Sequence, residues 1–235
     1  KTEEKYTAPT GLFELSSGEA SFPDISMTGE IQYYVPKSGE IRSASVKNSA
    51  AGSTLIAKIQ PNANYISWGA NKTLVAGYST GSVFYDLTSN YSKKYDPQIK
   101  GPALNKAGDK IAYTYFNSES GEGNVSMADT RLESYKNILS TRFAGWQIRW
   151  LDNDHLALIK PPTLENTQYS LFVLDKGSGA LQNILDSKGN LELAWSVSGQ
   201  KIVYSYVDLY TQEKGLYYMD LANKEEVKLK PVFDA

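Results

Sequence analysis

The sequence predicts an all-β fold, a β-propeller of five four-stranded blades, on three observations. A strand–turn–strand pattern recurs five times at the spacing of a propeller blade. The composition favours strands and turns, with 17 Tyr, 7 Phe and 18 Gly against 9 Pro. No window of ten or more residues carries the 3.6-residue period of an amphipathic helix. A six-bladed or truncated propeller is the alternative.

The repeats read Phe22–Tyr34, Tyr65–Gly77, Pro102–Tyr113, Ile148–Leu158 and Leu193–Tyr204. Aligned, they place Ile25, Trp68, Leu104, Trp150 and Trp195 in one column, at separations of 43, 36, 46 and 45 residues. Turn signals such as Thr28-Gly29, Ala107-Gly108, Asp154-His155 and Ser198-Gly199 separate the first strand of each repeat from the second. Alternation is clearest in the second strands, where Ile202, Tyr204 and Tyr206 share one face. Third strands are expected at Glu40–Val46, Ser82–Leu87, Asn124–Asp129, Ser170–Asp175 and Gly215–Leu221. More polar fourth strands follow at Thr54–Ile59, Ser92–Tyr95, Ser134–Leu139, Ala180–Leu185 and Glu226–Lys230. One small sheet cannot bury both faces alone, and radial stacking solves this. Trp68, Trp150 and Trp195 are expected to form core between blades, because an indole buries a large area; Trp146 lies outside the column. Residues 1–18 form an N-terminal segment whose strand-like stretch Gly11–Ser16 is expected to close the ring beside the last blade. Residues 19–235 form a single propeller domain.

Charge and composition exclude several function classes. The 24 Lys+Arg balance 26 Asp+Glu, for a net charge of −2, which is not the basic excess of a nucleic-acid binder. No run of 18 apolar residues exists, so no transmembrane helix is expected within the chain. There is no cysteine and a single histidine, which removes disulfides, thiolate chemistry and multi-histidine metal sites. The chain begins at Lys1 and reads as a piece of a longer precursor.

The stretch Ala194-Trp-Ser-Val-Ser-Gly-Gln-Lys-Ile-Val-Tyr204, followed by Leu216-Tyr-Tyr-Met-Asp-Leu221, resembles the WD40-like repeat of TolB-type propellers. Trp195, Ser196 and Gly199 match that family's Trp-Ser-Pro-Asp-Gly turn, while Val197 and Ser198 replace its proline and aspartate. The third repeat keeps Gly108, Lys110 and Ile111 with Leu104 in place of the tryptophan. Around Ile31–Ile41 the chain is also similar to propeller ectodomains of membrane-anchored bacterial proteins. The resemblance implies a protein-docking platform in the cell envelope, periplasmic or cell-surface, anchored by an N-terminal segment. It implies a protein or cell-envelope component as partner, and no cofactor.

Catalytic and metal motifs fail on inspection. His155 falls in the Asp152-Asn-Asp-His155 turn, away from any nucleophile elbow, and reads as an exposed hairpin residue. Asp152-Asn-Asp154 would need an oxygen ligand and a glycine where Leu156 and Ala157 stand to form an EF-hand loop. Among first strands, only Asp24 and Glu192 could supply the carboxylate pair of a glycoside hydrolase. Both read as solvated strand starts. A binding rim is the better candidate. Four residues after the leading aliphatic of each second strand stand Val35, Tyr78, Tyr115, Lys160 and Tyr206. The loops at Phe116–Gly123, Pro161–Gln168 and Val207–Lys214 follow three of them, made acidic by Glu119, Glu122, Glu165, Asp208 and Glu213. Loops on a rigid scaffold carry recognition, and tyrosine offers contact area at low entropic cost. The expected site is therefore Tyr78, Tyr115 and Tyr206 with Lys160, on a non-catalytic extracytoplasmic binding scaffold with no metal or cofactor. The alternatives are a five-bladed glycoside hydrolase and the regulatory propeller of a larger enzyme.

Overall fold

The computed structural model describes residues 20–25, 30–45, 52–117, 119–120, 122–141, 146–162, 169–187, 189–194, 201–208, 214–223 and 225–229. The chain divides into two compact units, Lys1–Ile66 and Ser67–Ala235. Every described element is a strand or a turn between strands.

The first unit holds β1 (Ser21–Ile25), β2 (Glu30–Val35), β3 (Glu40–Ser45) and β4 (Ser53–Lys58), an antiparallel meander in sequence order. Tyr33, Tyr34, Ile41 and Ala44 are its buried residues on β2 and β3. The hydroxyl of Tyr34 donates to the Gln60 carbonyl at 3.0 Å and accepts from the Ala63 amide at 3.0 Å. This binds the segment leaving β4 to the sheet. Gly39 has φ of +70°, and a Cβ there would lie 2.1 Å from the Ile59 carbonyl oxygen, so the β2–β3 turn requires glycine.

Four further meanders follow, each of four antiparallel strands. They comprise β5 (Tyr65–Trp68), which crosses the boundary between the units, β6 (Thr73–Tyr78), β7 (Gly81–Asp86) and β8 (Tyr91–Lys94); then β9 (Ile99–Leu104), β10 (Lys110–Asn117), β11 (Glu122–Asp129) and β12 (Tyr135–Thr141). Next come β13 (Gln147–Trp150), β14 (His155–Lys160), β15 (Tyr169–Asp175) and β16 (Leu181–Ser187). The last are β17 (Gly189–Ala194), β18 (Lys201–Asp208), β19 (Lys214–Asp220) and β20 (Glu225–Leu229). These are the four-stranded blades the repeats predict, and the expected third and fourth strands match the observed ones to within two residues at each end.

Within the second unit the core lies between consecutive blades. Val75 and Phe84 pack with Leu104 and Ile111. Ala112 and Val125 pack with Trp146, Leu156 and Leu158. Ile159 and Leu171 pack with Ile202, Tyr204 and Met219. Full burial of each such side chain contributes about 1.5–3 kcal/mol. Ile202 and Tyr204 of β18 are both buried, but β6 and β14 depart from the alternation read in the sequence. Thr73–Gly77 in β6 and Leu156–Ile159 in β14 are buried without interruption, because a strand inside a blade meets apolar neighbours on both faces.

The tryptophan column needs a similar correction. Trp68 and Trp150 are half-buried rather than core, and Trp195 lies outside the described residues. Trp150 does sit between blades: its indole N–H donates to the Ala103 carbonyl of the preceding blade at 2.9 Å. Satisfying that donor holds the ring at the edge of the apolar cluster. Among the described tryptophans Trp146 is the buried one, edge-on to Phe172 with centroids 5.5 Å apart. The closing strand expected at Gly11–Ser16 also lies outside the described residues.

The fourth strands carry a device the sequence reading did not anticipate. Pairing slips by one residue at Ile56 in β4, Ile138 in β12 and Ile184 in β16. Such a bulge turns two successive side chains toward one face and bends the edge strand away from further pairing. In β12 and β16 the pairs Ile138–Leu139 and Ile184–Leu185 accordingly pack against the core. Strands β8 and β20 are regular.

Candidate functional site

The residues of the expected rim occupy one structural position. Val35, Tyr78, Tyr115, Lys160 and Tyr206 are each the sixth residue of the second strand of their blade, counted from Glu30, Thr73, Lys110, His155 and Lys201. The strand register thus brings the second-strand column to the same end of every blade. Tyr78 and Tyr115 are half-buried, as is Lys160. The Tyr78 and Tyr85 hydroxyls are 3.3 Å apart, and the Tyr115 hydroxyl donates to the Gln98 side-chain oxygen. Each of these two rings is fixed by a neighbour in its own blade, with part of its surface open to solvent. In the loop after β10, the Asn117 side-chain oxygen accepts from the amides of Glu119 at 2.9 Å and Ser120 at 3.3 Å. Residues 163–168 and 209–213 of the other two loops fall outside the described residues.

The opposite end of the second strands is built from aspartates. Asp86, Asp129, Asp175 and Asp220 each end a third strand, paired across the ladder with Thr73, Lys110, His155 and Lys201. Each carboxylate clamps the turn into the fourth strand. Asp86 accepts from the amides of Thr88 and Ser89 and from the Ser89 hydroxyl at 2.9, 3.2 and 2.6 Å. Asp129 accepts from the amides of Arg131, Glu133 and Ser134 and from the Ser134 hydroxyl, the last at 2.7 Å. Asp175 holds the Gly177 and Ser178 amides and the Ser178 hydroxyl, and Asp220 holds the Ala222 amide.

These donors favour the ionised carboxylate. For Asp129, burial pulls the pKa upward, but the Ser134 hydroxyl and the backbone amides of Glu133, Ser134 and Arg131 outweigh it and bring the value down to about 2. Asp175 is lowered chiefly by the Ser178 amide and hydroxyl. Asp86 is lowered chiefly by the Ser89 hydroxyl, against a smaller upward pull from burial.

The same end also ties neighbouring blades of the second unit together. Lys93 donates to the Arg131 carbonyl, and Lys136 occupies the same place one blade later, reaching the Lys176 carbonyl at 3.5 Å. The Tyr95 hydroxyl donates to the Thr130 carbonyl at 2.9 Å, and the Ala70 amide to the Lys106 carbonyl at 2.8 Å.

His155 differs from the exposed turn residue expected of it. It begins β14, half-buried, with Nδ1 2.9 Å from Asp152 Oδ2 and Nε2 3.6 Å from Asp175 Oδ2. Asp152 is itself a turn clamp, accepting from the Asp154 and His155 amides at 2.7 and 2.8 Å. The imidazole therefore bridges two structural carboxylates. Asp24 is exposed in β1 and Glu192 pairs with Ser205 in the β17–β18 ladder. Among the described residues, no three His, Asp or Glu side chains are placed to hold a metal ion, and no helix is long and apolar enough to cross a membrane.

No family model matches the chain, and no curated protein matches it. Solved structures do. The chain is similar to TolB from Acinetobacter baumannii, with a TM-score of 0.65 at 14% identity, over 86% of this chain and 53% of that one. It is similar to a TolB-type structure from Agrobacterium tumefaciens, with a TM-score of 0.60 at 11% identity, over 77% of this chain and 66% of that one. It is also similar to a chain of the nidogen/laminin complex, with a TM-score of 0.61 at 11% identity, over 90% of this chain and 80% of that one. The chain spans about half the length of the first TolB structure and about two thirds of the second. At these identities the likeness is one of fold. The chain has a TolB-like β-propeller fold.

Proposed function

We propose that this propeller is a non-catalytic, extracytoplasmic binding scaffold that docks a protein or cell-envelope component through Tyr78, Tyr115 and Tyr206, with Lys160 at the same level. The observation that supports this reading most is the sixth-residue register, which gives the second strands a common end bearing aromatic rings. Tyrosine is well suited to recognition because a rigid ring with a polar tip gains contact area while losing few rotamers. The TolB-like fold agrees with a docking role. Lys160 interrupts the aromatic series, so the strongest contacts are assigned to the blades carrying Tyr78, Tyr115 and Tyr206.

The test compares the wild-type chain with a variant carrying Tyr78→Ser, Tyr115→Ser and Tyr206→Ser. Both are immobilised and exposed to the envelope fraction of the source cells. The expected result is a partner retained by the wild type and lost by the variant, while the variant keeps the strand-rich circular dichroism spectrum. A partner held equally by both would contradict the assignment.

A further inference from the structure

A candidate site separate from the rim lies at the aspartate end, away from Tyr78 and Tyr115. Between the blade of β5–β8 and the blade of β9–β12 is an open cleft of about 430 Å³, lined by residues that include Asp86, Tyr91, Gly108, Asp109, Thr130 and Arg131. Its volume falls in the range of small-molecule sites, about 300–1,000 Å³. The floor is shaped by glycine. Gly108 has φ of +80°, and a Cβ there would lie 2.2 Å from the Thr73 hydroxyl, so any side chain at 108 would strain the turn and fill the cleft.

The polar groups of this cleft sort into two kinds. Asp86 is largely committed, since its oxygens already accept three internal hydrogen bonds. Asp109 uses only Oδ1, which accepts from Asn105 Nδ2 at 2.7 Å, and keeps Oδ2 open. The Arg131 guanidinium makes no ion pair among the described residues; it lies over the Tyr91 ring, 5.6 Å from its centroid. Tyr91 neighbours Phe84, with ring centroids 6.4 Å apart, and among the described residues its hydroxyl and the Thr130 hydroxyl carry no side-chain bond. Among the described residues, the uncommitted set is one carboxylate oxygen, one guanidinium and two hydroxyls, with Asp109, Arg131 and Tyr91 exposed to solvent.

From this set we infer that the cleft binds a neutral saccharide. A simple anion would face Asp86 and Asp109, and a simple cation would face Arg131. A ligand whose hydroxyls both donate and accept uses every open group at once: it accepts from Arg131, donates to Asp109, and does either with Tyr91 and Thr130. The stacking of Arg131 on the Tyr91 ring brings the guanidinium and the phenol hydroxyl to one side of the cleft. Openness to solvent keeps the affinity modest, at a Kd of about 1 mM, and leaves room for a chain to run beyond one ring. This site is independent of the tyrosine rim and stands whether or not the rim docks a partner.

The experiment is saturation-transfer NMR on the full chain with maltotetraose, cellotetraose and chitotetraose, and with glycylglycine as a zwitterionic competitor. At least one saccharide is expected to receive saturation. Its Kd is expected to rise about fivefold in Tyr91→Phe, which keeps the ring and removes the hydroxyl, and about fivefold in Arg131→Gln, each being the loss of about one hydrogen bond. Tyr135→Ser, an exposed residue outside the cleft, is expected to leave binding unchanged and serves as the control. The inference is overturned if none of the three saccharides binds, if Tyr91→Phe and Arg131→Gln leave binding untouched, or if glycylglycine occupies the cleft in their place.

Discussion

The two ends of the second strands solve different problems with the same backbone. At the first-residue end, four blades place an aspartate opposite the strand start, and its carboxylate gathers the turn amides. Lysine, tyrosine and backbone donors then reach carbonyls of the next blade. At the sixth-residue end no such repeat exists among the described residues. Tyr78 meets the Tyr85 hydroxyl and Tyr115 the Gln98 side chain, and the loops beyond them differ from blade to blade. A scaffold that repeats its fastenings at one end is free to vary its surface at the other. Stability and recognition are thereby separated along one strand.

Five substitutions sharpen or break this contrast. The largest effect is expected at Trp146, buried against Phe172 beside the sixth-residue end of its blade. Trp146→Ala should cost about 3–5 kcal/mol, whereas Trp150→Phe, at the other end, should cost about 1 kcal/mol for the lost bond to Ala103. Equal losses in chemical denaturation would contradict the assignment of Trp146 as core and Trp150 as edge. Gly108→Ala comes next, at about 2–4 kcal/mol, because it combines a left-handed backbone with a clash against Thr73. A stability matching wild type would mean that the turn accommodates a side chain.

Asp129 offers a pH signature. Its folded-state pKa of about 2 lies below the unfolded carboxyl value of about 3.9. Its contribution is therefore fully present above about pH 4 and fades as pH falls through its folded value. Asp129→Asn should lower stability near neutrality by about 1–2 kcal/mol, as the loss of a turn cap does. The gap between variant and wild type should close as pH approaches 2. A gap independent of pH would show that the carboxylate charge is irrelevant to the clamp. The smallest effect belongs to Tyr78→Phe, which gives up the contact with the Tyr85 hydroxyl, for about 0.5–1 kcal/mol. A loss beyond 2 kcal/mol, roughly the size of an unsatisfied buried group, would make this tyrosine part of the framework.

Much of the blade plan was legible because it rests on short-range pattern. Apolar runs, turn residues and a repeat near 40 residues located the five blades, and the tyrosine column proved to be a register position shared by all of them. The aspartate clamps were visible but misaligned. Where a serine completes the clamp, it stands three residues on in Asp86–Ser89 and Asp175–Ser178 but five residues on in Asp129–Ser134, and Asp220 holds the Ala222 amide, so no column forms. The edge bulges were hidden for another reason: consecutive apolar residues such as Ile138-Leu139 read as a break in alternation unless the partner strand is known. Burial of β6 and β14 on both faces, and the exchange of roles between Trp146 and Trp150, depend on the neighbouring blade and have no local signature. The interblade cleft is likewise assembled from Tyr91, Asp109 and Arg131, which nothing in their spacing connects.

The separation of roles is tested most directly by placing a photo-crosslinking amino acid at both ends of two consecutive blades, β5–β8 and β9–β12, in the source cells. Positions 78 and 115 report the tyrosine end, and positions 89 and 106 report the aspartate end. The account predicts that partner adducts form at 78 and 115 and are absent at 89 and 106. Protein adducts concentrated at 89 and 106, or spread evenly over all four positions, would contradict it.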